Sequence, residues 1–163
     1  MAGVAEAVAS QWPTSRWLHL RPLRIAQGLA LLASMGHVAV WGFEAPLGNS
    51  TLGGAALLAA GLVWMLWARW LFRQADTADR RSDAPPILVD EGPYRFGRNP
   101  MYLGTTVALL GIGLALGAPF MGVAAVAFAG IVQRVHIPFE EVQLQRAFGG
   151  WYSDYAATVR RWL

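Results

Sequence analysis

The sequence lacks two residue types that carry much of enzyme chemistry. It has no cysteine, which excludes disulfides, thiolate nucleophiles and cysteine-based metal sites. Its 13 basic residues are all arginine, so there is no lysine for Schiff-base chemistry. Charged residues of any kind are scarce, at 14% of the chain against roughly 25% in soluble domains. The use of arginine without lysine suggests a GC-rich bacterial genome.

Hydrophobic residues, in contrast, make up 55% of the 163 residues and form long stretches. Residues 29–41, 53–68 and 100–133 contain no Asp, Glu, Lys or Arg. A soluble helical bundle needs a charged face on each helix, so lipid is the better solvent for these segments. The sequence therefore predicts an all-α polytopic membrane protein with about four transmembrane helices, forming one domain over residues 1–163.

Four apolar stretches are candidates for these spans, at about 23–43, 51–72, 101–116 and 119–135. The first two exceed the ~20 residues that a bilayer core requires, and the last two are short. Between the short pair lies Gly117-Ala118-Pro119, a sequence typical of a tight turn with proline at the start of a helix. We therefore expect the third and fourth spans to form an antiparallel hairpin.

The arginines predict the orientation. They fall in the N-terminal segment, in residues 69–98 and in the tail 134–163, whereas the loops 45–50 and 117–119 contain none. By the positive-inside rule, the arginine-bearing segments and both termini are cytoplasmic, as expected for a bacterial inner-membrane protein. This distribution also accounts for the pI near 10 without a nucleic-acid partner.

Two cytoplasmic pieces hold most of the ionisable groups, a loop at 75–100 and the tail from Arg134. We therefore interpret residues 1–74 as N-terminal spans and residues 75–163 as the functional part. In the tail, apolar and aromatic residues recur at spacings of three and four: Leu144, Phe148, Trp151, Tyr155, Val159 and Trp162. This pattern predicts an amphipathic C-terminal helix with aromatic anchors, bent or interrupted at Gly149-Gly150.

The pair Glu140-Glu141 follows the fourth span closely, where an unpaired carboxylate is energetically expensive. His136 lies four residues earlier and could share the helix face of Glu140. One interpretation is pairing with arginines, namely Arg98, Arg134 or Arg146. The other is a carboxylate that binds a cation, either a cofactor's ammonium or sulfonium or a metal.

A second cluster covers residues 92–104, with the sequence GPYRFGRNPMYLG. Pro100 opens the third span, so the Asn99 side chain is placed to cap a helix whose free amides attract a carboxylate or phosphate. Arg98 adds a positive charge beside them. The alternative is an ordinary capped helix with an interfacial arginine and tyrosine. We interpret the other glycines of the second and third spans as close helix packing, and Gly104 as part of this motif.

Taken together, the two clusters resemble a known family. The first resembles the G-x-Y-x-x-x-R-H-P-x-Y-x-G signature of the isoprenylcysteine carboxyl methyltransferase family and its phospholipid N-methyltransferase relatives. The second resembles that family's E-E-x-x-L-x-x-x-F-G-x-x-Y-x-x-Y signature, and the similarity covers roughly residues 85–160. The family's histidine before proline is replaced here by Asn99.

The resemblance implies an integral membrane methyltransferase that uses S-adenosylmethionine (SAM) and no metal. The acceptor would be amphiphilic or lipid-like: a phospholipid amine, a carboxylate or another small lipophilic nucleophile. By position, the SAM pocket would be lined by Ile87, Leu88, Val89, Tyr94, Asn99, Pro100, Tyr102, Gly104 and Glu140. His136, Glu141 and Arg98 would be the catalytic candidates, the first two as bases for an amine acceptor and Arg98 as a partner for a carboxylate.

Two alternatives come from other functional classes. One is a non-catalytic membrane partner or scaffold with the same fold. The other is a haem- or quinone-binding membrane subunit with His37 and His136 as ligands. The predicted spans place these two histidines at different membrane depths, which disfavours an axial pair.

Overall fold

The structure is a computed structural model that describes residues 22–46, 50–79 and 88–163. In these ranges its regular structure is entirely helical, which confirms the predicted all-α class. The helices are α1 Pro22–Trp41, α2 Thr51–Asp79, α3 Pro100–Leu116, α4 Pro119–Ile131, α5 Ile137–Phe148 and α6 Gly150–Thr158. A short 3-10 helix, Gly92–Arg95, precedes α3, and a π-helical segment, Val132–His136, joins α4 to α5.

Three helical stretches in the described ranges are long and apolar enough to cross a membrane. They are Pro22–Trp41, Thr51–Ala75 and Pro119–Phe148, and the third runs through α4, the π-helical segment and α5. The apolar helix α3, with 17 residues, is at the lower limit for a span. The chain is thus a polytopic membrane protein.

The helix of the fourth span continues beyond the predicted end of that span near residue 135 and reaches Phe148. Pro138 stands one turn inside this continuation and has no N–H to donate, while its ring would clash with the carbonyl four residues back. The π-helical segment avoids the break, since the Ile137 N–H bonds to the Val132 carbonyl, five residues earlier. The helix therefore passes the proline and continues through the two glutamates to Phe148.

Helices α2 and α3 lie antiparallel and touch through glycine. A β-carbon on Gly61 would stand 2.7 Å from the Gly104 carbonyl oxygen, and one on Gly54 would stand 2.2 Å from the Ala115 nitrogen. The two backbones are therefore in contact, as predicted for small residues in membrane helices. Gly117, with φ of 62°, ends α3 in the left-handed conformation and allows the predicted hairpin turn into α4.

Helix α1 packs on α4, where Gly36 contacts the Phe120 ring, and the core beneath them includes the fully buried Phe128 and Val132. Because α1 and α4 are antiparallel, as are α2 and α3, the end of α2, the start of α3 and the end of α4 meet at one end of the bundle. All the described arginines belong to segments at this end: Arg24, Arg69, Arg73, Arg95, Arg98, Arg134, Arg146, Arg160 and Arg161. Arg16, Arg21, Arg80 and Arg81 lie outside the described residues.

The last residues of the tail depart from the amphipathic helix that the spacing of the apolar residues predicts. Gly149 adopts φ of 57° and ψ of −125°, which separates α5 from α6 and confirms the expected interruption. Helix α6 ends at Thr158, so Val159 and Trp162 are not helical. Residues 159–163 instead turn back across the loop that precedes α3, where the Arg98 N–H bonds to the Arg160 carbonyl at 2.9 Å.

Candidate active site

A cavity of about 500 Å³ lies at the arginine-rich end of the bundle. Its walls come from the end of α2, the segment 88–102, α5 and α6. The volume is in the range of small-molecule and cofactor pockets. Most of the lining is apolar or aromatic, with contributions from Phe72, Leu144 and Phe148. The two sequence motifs, which are separated by the α3–α4 hairpin, meet here.

The cavity contains seven of the residues that the sequence predicts for the cofactor: Leu88, Val89, Tyr94, Asn99, Pro100, Tyr102 and Glu140. Ile87 lies outside the described residues. Gly104 does not line the cavity, because it packs against Gly61 and Met65 of α2. Two residues along a helix correspond to a rotation of about 200°, so Gly104 faces nearly away from Tyr102.

Glu140 presents a carboxylate to this cavity. The Tyr102 hydroxyl donates a hydrogen bond to its Oε1 atom. No other hydrogen bond and no ion pair joins Glu140 to the described residues. One of its oxygens therefore remains available to a bound molecule.

His136 lies one helical turn before Glu140 but does not line the cavity. The π-helical segment turns it inward, so that only 4% of its surface is exposed, beside the buried Ile137 and Val132. It is close enough to Glu140 for a charge on one to affect the other. The structure thus places His136 in the buried core, outside the cavity.

Glu141 is held by arginines, as one of the two sequence interpretations predicts. Its Oε1 atom accepts from Arg161 Nε at 3.0 Å, and its Oε2 atom accepts from Arg161 Nη2 at 2.6 Å. Arg98 Nη1 lies 3.3 Å from the same Oε1 atom. Arg98 was among the expected partners and Arg161 was not. A carboxylate with both oxygens occupied in this way is not the free base that we expected Glu141 to be.

Arg98 lines the cavity, and two side-chain contacts hold one edge of its guanidinium group. Its Nη1 atom donates to the Tyr152 hydroxyl at 3.3 Å, in addition to the contact with Glu141. The Nε–H group of the same guanidinium is buried and has no hydrogen-bond partner among the described residues. Because a buried donor without an acceptor is costly, this N–H group is suited to an anionic group of a ligand.

Asn99 does not cap α3, so the predicted side-chain cap is wrong. Its Nδ2 atom instead donates to the Arg161 carbonyl oxygen at 2.8 Å. The returning tail supplies this acceptor, and the contact holds the Asn99 side chain in an orientation in which it does not cap the helix. Donation of an N–H requires no proton transfer, so asparagine can make this contact at the position where the family pattern has histidine.

The sequence analysis did not predict three further residues of the site: Tyr152, Tyr155 and Arg161. The Tyr155 hydroxyl donates to the Tyr94 carbonyl at 2.8 Å and joins α6 to the loop before α3. Tyr152 and Tyr155 are the two tyrosines of the second motif, so the motif itself was a signal for them. Arg161 lies 20 residues from Glu141 along the chain, and nothing in its local sequence indicates the pairing.

Burial raises the pKa of the Tyr94, Tyr152 and Tyr155 phenols above the ordinary tyrosine value. These side chains therefore stay protonated near neutral pH and do not act as bases. The hydrogen bonds from Arg161 to Glu141 raise the pKa of the Arg161 guanidinium. The arginine thus keeps its charge under all ordinary conditions.

The histidine pair of the haem hypothesis is far apart. His37 Nε2 lies 2.9 Å from the Glu44 carbonyl oxygen, near the end of α1. Its neighbour Gly36 contacts Phe120 at the start of α4, and the helix rises about 25 Å from there to His136. The described residues include no cluster of His, Asp or Glu arranged to hold a metal ion.

Comparison with known proteins finds a family model and curated relatives that match this chain. A family model for phospholipid methyltransferases matches residues 49–150. Two curated relatives from Arabidopsis thaliana, protein-S-isoprenylcysteine O-methyltransferases A and B, are 41% and 39% identical over 75 residues. The matched part is 44% of this chain and 36% of each relative, so the chain spans about a third of their length. No solved structure matches.

Proposed function

The chain belongs to the phospholipid methyltransferase family, and we propose that it transfers a methyl group from SAM to an amphiphilic, lipid-like acceptor. The observation that carries the proposal is the convergence of two distant motifs on one cavity. Arg98 and Tyr102 come from the first motif and Glu140 from the second, and all three line the same space.

The residues present suit SAM, which combines an ammonium, a carboxylate, a sulfonium and an adenosine. The available Glu140 oxygen suits a cation, and the unpartnered Nε–H of Arg98 suits a carboxylate. The rings of Tyr94 and Tyr102 can face the sulfonium, since aromatic faces attract cations. Leu88 and other apolar lining residues suit the flat adenine ring.

When bound, SAM supplies an activated methyl group: the sulfur–carbon bond breaks, its electron pair stays on sulfur, and a bond forms to an oxygen, nitrogen or sulfur of the acceptor. The protein's part is alignment and exclusion of water, which can supply much of the rate. A carboxylate acceptor needs no base. For an amine, neither of the bases that the sequence suggests is free at the cavity, because Glu141 is held by arginines and His136 lies outside the cavity.

The cavity wall supports an acceptor that arrives from the membrane. Phe72 of α2 lines the cavity and is also 51% exposed on the apolar surface of the bundle. Ala75, one turn further along α2, lines the cavity beside it. We infer that a lipid-like acceptor enters sideways past Phe72, while SAM enters from the arginine-rich end. The positive-inside rule makes that end cytoplasmic.

The first experiment measures SAM binding to purified protein in detergent by calorimetry. Glu140→Gln removes the carboxylate charge and should weaken binding about tenfold or more. The matched control is Asp154→Asn, the same chemical change at an exposed position of α6 outside the cavity, and it should leave affinity unchanged. If the wild-type protein does not bind SAM, the methyltransferase proposal fails and a non-catalytic membrane partner is favoured.

A second experiment identifies the acceptor. Protein is incubated with methyl-labelled SAM and either a total lipid extract or a prenylated cysteine analogue. Label in a phospholipid would indicate an amine acceptor, and label released by mild base from the analogue would indicate a methyl ester. If neither the lipid extract nor the analogue takes up label, the lipid-like acceptor hypothesis is refuted.

A further inference from the structure

Residues 159–163, which we call the strap, cross the loop that carries Arg98. We propose that Arg161 of the strap is a positioning residue that keeps Arg98 available to bind the carboxylate of SAM. This inference rests on the proposed function and extends it to a residue outside the cavity. Arg161 does not line the cavity, so it acts through its neighbours.

The strap first fixes the backbone beside Arg98. The Arg98 N–H bonds to the Arg160 carbonyl at 2.9 Å, and the Asn99 side chain bonds to the Arg161 carbonyl at 2.8 Å. At Gly97 the approach is so close that a β-carbon would stand 1.8 Å from the Trp162 carbonyl oxygen. The loop therefore has no freedom to shift without displacing the strap.

The far end of the strap is anchored separately. Trp162 Nε1 donates to Gln133 Oε1 at 2.7 Å, and Gln133 belongs to the π-helical segment between α4 and α5. The Trp162 ring also packs against the main hydrophobic core. The strap thus links the loop before α3 to the helix that carries Glu140 and Glu141.

The charges explain why the strap uses an arginine. Arg161 occupies both oxygens of Glu141, at 3.0 and 2.6 Å, while Arg98 contacts one of them at 3.3 Å. Arg98, Arg161 and Glu141 together carry a net positive charge. The Nε–H group of Arg98 has no hydrogen-bond partner among the described residues. Without Arg161, Glu141 would be free to form a two-bond pair with Arg98 and neutralise it, because a carboxylate and a guanidinium match in this way.

The test compares two ligands, SAM and decarboxylated SAM, in calorimetric titrations. Arg161→Gln should weaken SAM binding about tenfold and leave the affinity for decarboxylated SAM unchanged, since only SAM has the carboxylate. Arg146→Gln is the matched control, because Arg146 is exposed on α5 and lies outside the cavity. It should change neither affinity.

A second substitution tests the route through Glu141. If Arg161 acts by occupying that carboxylate, then removing the carboxylate as well should release Arg98. The double variant Arg161→Gln/Glu141→Gln should therefore bind SAM more tightly than Arg161→Gln alone.

The outcomes separate the two proposals. No SAM binding by wild type refutes the proposed function. Wild-type binding with equal affinity in Arg161→Gln refutes the positioning role alone. Equal losses for both ligands, or a double variant weaker than the single one, also refute it, because they indicate general damage to the fold.

Discussion

Replacing Gly104 by alanine should force α2 and α3 apart. A β-carbon at position 104 would stand 2.6 Å from the Gly61 carbonyl oxygen and 2.8 Å from both the nitrogen and the β-carbon of Met65. All three distances are below 3.0 Å, a separation that real β-carbons essentially never show. Two of the three atoms belong to the backbone, so no side-chain rotation can relieve the clash.

The expected magnitude follows from two opposing effects. Overpacking a close contact costs up to about 3 kcal/mol when the backbone must move. The greater helix propensity of alanine returns about 1 kcal/mol. The net loss is therefore about 2 kcal/mol, which lowers the melting temperature by about 4–8 °C for a chain of this size.

Thermal unfolding in detergent, followed by tryptophan fluorescence and circular dichroism, measures this loss. The matched control is Gly28→Ala on α1, where an added β-carbon would have no atom within 4 Å. That variant should melt at or slightly above the wild-type temperature. If Gly104→Ala is as stable as wild type but loses SAM affinity, the packing argument is refuted and the cofactor-binding role implied by the motif is favoured.

Two further predictions concern tyrosines at the site. Tyr102→Phe removes the hydroxyl that donates to Glu140. It should weaken SAM binding about tenfold in calorimetry, because this hydrogen bond orients the carboxylate. Unchanged affinity would show that the carboxylate needs no such support. Tyr155→Phe removes the 2.8 Å hydrogen bond to the Tyr94 carbonyl and should lower stability by about 1 kcal/mol. An unaltered melting temperature for Tyr155→Phe would contradict the proposed link between α6 and the loop.

The starts of the helices were predictable because lipid imposes strict requirements. A span needs about 20 apolar residues and must satisfy every backbone hydrogen bond internally. The predicted starts at 23, 51, 101 and 119 lie within one residue of Pro22, Thr51, Pro100 and Pro119. The ends of α2 and of the α4–α5 stretch were missed, since a helix that leaves the membrane continues through polar residues that hydropathy does not register.

The site residues were predictable where a sequence motif contains them. They were not predictable where the chain folds back after α6 and contacts the loop before α3. The first motif includes Gly104, which does not line the cavity, and helical periodicity could have separated it from Tyr102. Gly104 and Gly111 are seven residues apart and lie on the same face of α3, the face that packs against α2. The contacts of Arg161 depend on how the chain turns after α6, and no local pattern specifies that turn.

The adjacent glutamates acquire different roles from helix geometry alone. Consecutive residues of an α-helix point about 100° apart, so Glu140 and Glu141 cannot have the same surroundings. Glu140 meets Tyr102 of α3, and Glu141 meets Arg161 of the strap. Had both carboxylates remained unpaired in the cavity, their charges would have opposed an anionic ligand group at Arg98. Because the strap neutralises one of them, a site for a cation and a site for an anion can stand side by side in the same cavity, which a ligand carrying both charges requires.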